Sequence, residues 1–198
     1  MLDAAVSVFA ERGFHDASMD EIADHAGVSK PVLYTHFESK DGLYAATLRR
    51  AGQLLTERVR ASAAPDLSAE QRMWAGILAF VDVVSEHRDW WIVARKAAMG
   101  EGEFADLGRQ MHDEMAELLR GLFVETAAQR GIVGGALSDV EPLAHAFVGA
   151  CEAMALWWVE RPGVPKGTVA MNLMNLMWMG FGDLVEGRLW LPAEARRT

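Results

Sequence analysis

Residues 18–37 read SMDEIADHAGVSKPVLYTHF. The first half has helical spacing, with Met19, Ile22, Ala23 and Ala26 on one face. Ser18 and Glu21 fit a capping box, in which the serine oxygen accepts from the N3 amide and the acid reaches back. Gly27 supplies the left-handed conformation that ends such a helix, and Val28 plugs the turn. Ser29 then opens a second short helix. Pro31 is tolerated in its first turn, where an amide hydrogen is not needed. Val32, Leu33 and Phe37 are expected to point inward. That leaves Lys30, Pro31, Tyr34 and Thr35 outside, with His36 near the end. Two helices joined by a glycine turn, the second with a polar-aromatic outer face, form a helix-turn-helix.

The second helix suits a DNA major groove. Its N-terminal dipole can approach a phosphate. Lys30 and Lys40 bring positive charge to its two ends. Tyr34 offers a hydroxyl and a flat apolar face, and Thr35 can touch a thymine methyl or a base edge. Residues 29–50 hold Lys30, Lys40, Arg49 and Arg50 against Glu38 and Asp41, a net +2. Residues 1–28 set Arg12 against six acids, and the 198-residue chain carries a net charge of −9. The basic segment is therefore local, in a protein whose overall charge argues against nucleic acid.

Outward from this segment, every piece between breakers reads as helix. Leu2, Ala5, Val6 and Phe9 keep the i, i+3, i+4, i+7 pattern, as do Met73, Ile77, Val81 and Val84, and Leu107, Met111, Met115 and Leu118. No stretch alternates like a half-buried strand. The expectation is all-α. Capping boxes at Ser68/Gln71 and Ser138/Glu141 place helix starts near 69 and 139. A fourth helix over 40–62 is expected to pack on both halves of the chain. Pro65 marks a boundary between short helices and long ones.

Composition excludes several classes. A single cysteine, Cys151, leaves no disulfide framework and no Cys-based zinc site. It reads as a small core or interface residue. No signal peptide is legible at the start, and the run 169–182 is shorter than the ~20 residues that cross a bilayer. A cytoplasmic protein without a membrane segment is expected. His87, His112 and His145 lack a His or Cys partner at i, i+4, so no metal or cofactor is expected. Asp82 and Glu86 share a helix face, but nothing nearby supplies a nucleophile or an oxyanion hole. No phosphate loop or His-Glu-x-x-His is present. The chain does not read as an enzyme.

The motif G-F-x-x-A-S-M-D-E-I-A-x-x-A-G-V-S-x-x-x-L-Y-x-H-F-x-S-K-x-x-L, over residues 13–43, resembles the DNA-binding domain of the TetR family of bacterial transcriptional regulators. The resemblance covers nearly all of residues 1–48. It implies a DNA-binding domain over 1–48 and a helical effector-binding and dimerisation domain over 49–198. It implies that residues 29–37 are the recognition helix and that the protein is a homodimer on double-stranded operator DNA. Ser18, Ser29, Lys30, Pro31, Tyr34, Thr35, His36 and Lys40 would then meet bases or phosphates. Family members usually carry several residues before the first helix, often basic; here Met1 directly precedes Leu2, so either the arm is lacking or the true start lies upstream, and minor-groove contacts from such an arm are left open.

Beyond residue 73 the chain holds all 7 of its Trp, most of them in doublets, among 11 Met overall. In a doublet on a helix the two rings point ~100° apart, so one can line a core while the other faces a pocket or partner. Methionine suits irregular cavities. An apolar effector cavity is expected near Trp91, Met99, Phe104, Met111, Met115, Phe123 and Trp178. Helices over 139–160 and 167–186, with small residues such as Gly149, Ala150 and Ala153, are expected to form a two-fold four-helix interface. The function expected is a repressor released by a small apolar or amphipathic effector. The alternative is a helical small-molecule-binding or scaffolding protein with a vestigial helix-turn-helix.

Overall fold

The structure, a computed structural model, describes residues 1–98, 103–129 and 140–185. These form helices α1 (Leu2–Asp16), α2 (Met19–Ala26), α3 (Lys30–Phe37), α4 (Lys40–Ser62), α5 (Ala69–Glu86), α6 (Arg88–Ala98), α7 (Glu103–Gln129), α8 (Val140–Val159) and α9 (Lys166–Val185). Among the described residues there is no strand. The chain is all-α.

Local chemistry sets the boundaries. Gly13, at φ +80°, kinks α1 near its end. Gly27 stops α2 at φ +64°, with its N–H on the Ala23 and Asp24 carbonyls. Ser68 and Gln71 make both halves of their capping box. Ser18 makes only one half: it accepts from Glu21 N, whereas the Glu21 carboxylate turns to Arg12 at 3.3 Å. The expected box at Ser138/Glu141 begins outside the described residues.

The N-terminal core packs Val6, Phe9, Ile22, Leu33, Leu43 and Leu48 without exposure above 2%. Val93 and Ala97 from α6 and Leu107 from α7 complete it. This core therefore does not stop at residue 48. Tyr44 donates its hydroxyl to Val93 O at 3.2 Å, and Lys96 Nζ donates to Ala10 O at 2.8 Å. Both bonds tie the N-terminal helices to α6.

A second core joins α5, α8 and α9 through Ile77, Phe80, Phe147, Trp158 and Leu173. A smaller third joins Val59 of α4 to Met115, Ala144 and Val148. Helix α8 is long and apolar enough to cross a membrane by length and composition. Its Ala144, Phe147, Cys151, Ala155 and Trp158 are buried inside the protein, which is how a core helix passes that test. The exposed large apolar side chains of α8 and α9 are Trp157, Met171, Leu176 and Met179.

Candidate DNA interface and effector cavity

Helix α3 is held by one fully buried residue, Leu33, with Phe37 half-buried. Lys30, Pro31, Tyr34, Thr35 and His36 are all exposed; the first four share one side of α3, and His36 lies farther round the helix. Val32 departs from the expectation: it is 42% exposed rather than inward. An eight-residue helix buries only a narrow strip, and here Leu33 fills it. The Val32 methyls are consequently left in the open, about 160° round α3 from Tyr34.

Polar contacts fix this face. Lys30 Nζ donates to Asp20 Oδ2 at 2.8 Å, bridging α3 to α2. That hydrogen bond holds the Lys30 pKa above the usual lysine range. Thr35 Oγ1 donates to Pro31 O at 2.8 Å, so its hydroxyl hydrogen is used inside the helix. Ser29 occupies the N-cap but its side chain makes no cap hydrogen bond, contrary to the simplest reading of its position. Ser18 caps α2.

Lys40 has a structural task. Its Nζ donates to His15 O and Ala17 O, both at 3.0 Å, and lies 4.8 Å from the Phe14 ring centroid. It staples the end of α1 to the start of α4. Two of its three donors are thereby engaged.

The second site is a cavity of about 680 Å³ lined by α4 to α9 and partly open to solvent. That is within the ~300–1,000 Å³ of small-molecule pockets. Trp91, Met111, Met115, Phe123 and Trp178 are all in its wall. Phe104 is not. Its ring sits 5.1 Å from Phe14 and 4.7 Å from Tyr44, because the first turn of α7 packs down onto the N-terminal core. Met99 lies outside the described residues.

The tryptophan doublets split as their spacing requires. Trp90 packs with the N-terminal core, whereas Trp91 meets Phe80 edge-on at 5.6 Å beside the cavity. Trp158 is buried, with its N–H on Val164 O at 2.8 Å. Trp157 is exposed, under the Arg161 guanidinium at 4.8 Å.

Arg72 and Gly52 were not singled out by sequence reasoning, nor was the pairing of His112 with His145. Arg72, buried in α5, donates to Leu67 O at 3.2 Å, to Pro65 O and to Glu125 at 3.3 Å. It closes one end of the cavity by tying the turn before α5 to α7. A cation near a helix start is a dipole misfit, the one signal that could have flagged it. Gly52 of α4 lets Met111 approach: a Cβ there would stand 2.9 Å from Met111 Cε. His112 and His145, far apart in sequence, stack 5.3 Å apart in the cavity wall. Among the described residues no group of three or more His, Cys, Asp and Glu is placed to hold a metal.

The remaining reactive groups are engaged or buried. Asp82 takes Lys166 at 2.7 Å and Glu86 takes Arg58 at 3.3 Å, which makes them ion-pair partners across helices. Burial, with a smaller push from Glu152, raises the Cys151 thiol to about 12. Such a thiol is a poor nucleophile.

Comparison with known proteins closes the identification. Residues 1–47 match the model described as bacterial regulatory proteins, tetR family. Residues 69–180 match the Tetracyclin repressor-like C-terminal domain. A TetR-like transcriptional regulator from Rhodococcus sp. RHA1 has 35% identity, covering 91% of this chain and 93% of its own, at TM-score 0.72.

The chain belongs to the TetR family.

Members of this family regulate transcription by binding DNA; it is not an enzyme class. The chain is also 51% identical over 87 residues to the transcriptional activator FasR of Mycolicibacterium smegmatis. That match covers 44% of this chain and 39% of FasR, so the chain spans well under half of that relative's length. FadR from Bacillus subtilis, solved with stearoyl-CoA, shares the TetR fold at 20% identity and TM-score 0.74, over 89% of this chain and 95% of its own.

Proposed function

We propose that this TetR-family protein is a one-component repressor. It binds a roughly palindromic operator as a homodimer in the cytoplasm and lets go when a small apolar or amphipathic effector enters the cavity. The cavity carries this reading: about 680 Å³ walled mainly by apolar side chains is a large hollow for a chain of this size, since proteins otherwise pack closely. The stearoyl-CoA bound to FadR shows that the fold accepts a long-chain amphiphile.

On the DNA side the proposal keeps the division 1–48 and 49–198. It assigns operator contact to the α3 face (Ser29, Lys30, Pro31, Tyr34, Thr35 and His36), with Ser18 and Lys40 flanking it. On the effector side it assigns Trp91, Met111, Met115, Phe123 and Trp178. Trp157, Met171, Leu176 and Met179 support the dimer. They expose large apolar groups on α8 and α9, the helices a two-fold partner would cover.

Helix α4 is the lever. Its start is stapled under the DNA-binding core by Lys40, and its middle lines the cavity at Gly52, Leu55 and Val59. An effector that prefers one position of α4 shifts the spacing of the two α3 helices. A ~100-fold fall in operator affinity needs roughly 2.7 kcal/mol of such preference. One observation favours a second reading, activation: FasR, 51% identical to this chain over 87 residues, is named a transcriptional activator.

The test is operator selection in vitro, followed by fluorescence anisotropy with and without a C10 to C18 amphiphile series. Competitor-resistant binding that one series member weakens supports repression; strengthening supports the second reading. Absence of specific binding at any salt supports the vestigial helix-turn-helix and overturns the proposal.

A further inference from the structure

Between α7 and α8 the cavity wall changes character. Elsewhere it is mostly apolar; here His112 and Asp113 of α7 meet His145 and Glu152 of α8. His145 and Glu152 are two helical turns apart and project from one face. Nδ1 of His112 lies 3.2 and 3.1 Å from the two Glu152 oxygens. The two imidazoles stack with planes 23° from parallel. Asp113 Oδ1 stands 3.9 Å from His145 Nδ1.

This arrangement fixes what the wall can offer. A carboxylate only accepts, so Glu152 holds a hydrogen of His112 on Nδ1, and in the neutral ring Nε2 then carries a lone pair. Nε2 has no partner among the described residues, and the ring is part of the cavity wall. A ligand atom facing it must therefore donate.

The surrounding charges point the same way. Asp113 and Glu152 place two carboxylates at this seat. The cations in the wall are Arg72 and Arg109. Arg72 is engaged at the far end by two carbonyls and Glu125, and Arg109 is turned onto Asp106. An anionic headgroup here would lose its water, meet two like charges and find, among the described residues, no Lys or Arg in the wall that is not already paired.

We infer that the His112–Glu152 pair is the polar seat of the effector cavity, and that it takes an amphiphile whose headgroup donates a hydrogen bond and carries no negative charge. Alcohols, amides and amines fit; free fatty acids do not. The inference rests on the effector-cavity reading above.

Three probes share one chain and differ at the head. 1-Decanol donates, 1-methoxydecane only accepts, and decanoate is an anion at pH 7.5. Binding to the full chain is read by tryptophan fluorescence, since Trp91 and Trp178 are in the wall. The expected order is decanol tightest, about five-fold or more over the ether, as one net hydrogen bond provides, with decanoate weakest. His112→Leu abolishes the advantage of decanol over the ether while leaving the ether's affinity in place. Glu152→Leu, which frees the ring to turn, reduces the same advantage and serves as a second variant. Decanoate binding as tightly as decanol overturns the inference, as does an advantage that survives both variants. If none of the three probes binds, the cavity reading itself fails and the inference falls with it.

Discussion

Helices α1 to α3 and helices α5 to α9 solve opposite packing problems. Around α3, Phe9, Ile22, Leu33 and Leu43 are exposed by 1% or less and fill their space. Between α4 and α9 a space of about 680 Å³ stays open. A recognition helix must hold its outer side chains at fixed positions, so its support is dry and closely packed. A ligand chamber must leave room, so its walls are pliable Met and large aromatic rings. Under the proposed function, rigidity at one end and adaptability at the other would be the physical basis for transmitting a ligand signal to DNA.

The contrast can be broken by the same truncation at both ends. Leu33→Ala removes a fully buried side chain from the closed core, and the expected cost is about 3–4 kcal/mol. Leu122→Ala removes a half-buried side chain that already borders the cavity, and the expected cost is about 1–2 kcal/mol. Urea titrations of the two variants check this by their midpoints. Equal losses would mean that the cavity wall is packed as tightly as the core.

The next largest effect concerns the α3 face. Tyr34→Ala leaves the fold intact, because the ring is outside, and is expected to weaken operator binding about ten-fold. Anisotropy on the selected operator measures it, with a thermal melt as control. A smaller effect of opposite sign is expected from Asp20→Asn. It loosens the 2.8 Å hold on Lys30, since an amide oxygen still accepts but carries no charge, and removes a negative charge beside the face proposed to meet DNA. Operator affinity should rise about two- to five-fold, and its dependence on salt should steepen. Unchanged affinity would mean that Lys30 serves α2 rather than DNA.

The two regions also differed in how legible they were. Helix starts at 19, 40 and 69 follow from Ser18, Ser39 and Ser68 with their N3 partners, because a cap is a local interaction among adjacent residues. The exposure of the α3 side chains was nearly all readable for the same reason; Ser29 departs by making no cap bond, and Val32 departs because a short helix was assigned too broad an inner strip. The cavity was legible only as composition. That five of the residues expected there share a wall, while Phe104 instead packs against Tyr44, is decided by how α7 crosses α4 and α6. No local pattern encodes that crossing. The His112–His145 stack escaped because its members lie 33 positions apart on separate helices, and spacing rules see only within one element.

The smallest expected effect lies where the two regions meet. Gly52 sits in mid-α4, where alanine is preferred over glycine by about 1 kcal/mol. Its added methyl would stand 2.9 Å from the end of the Met111 side chain, a flexible group that can swing away. Displacing Met111 costs part of its packing, so the two contributions oppose each other. Gly52→Ala is expected to leave the melting temperature within a few degrees. Met111 is a wall residue, and the direction in which it yields is toward open space in the cavity. Effector affinity should therefore fall several-fold at nearly constant stability, with operator affinity in the absence of effector little changed. A variant that loses operator affinity as well would place the sensitive step in the position of α4 itself, and the boundary between the closed region and the open one would have to be drawn through Gly52 rather than beside it.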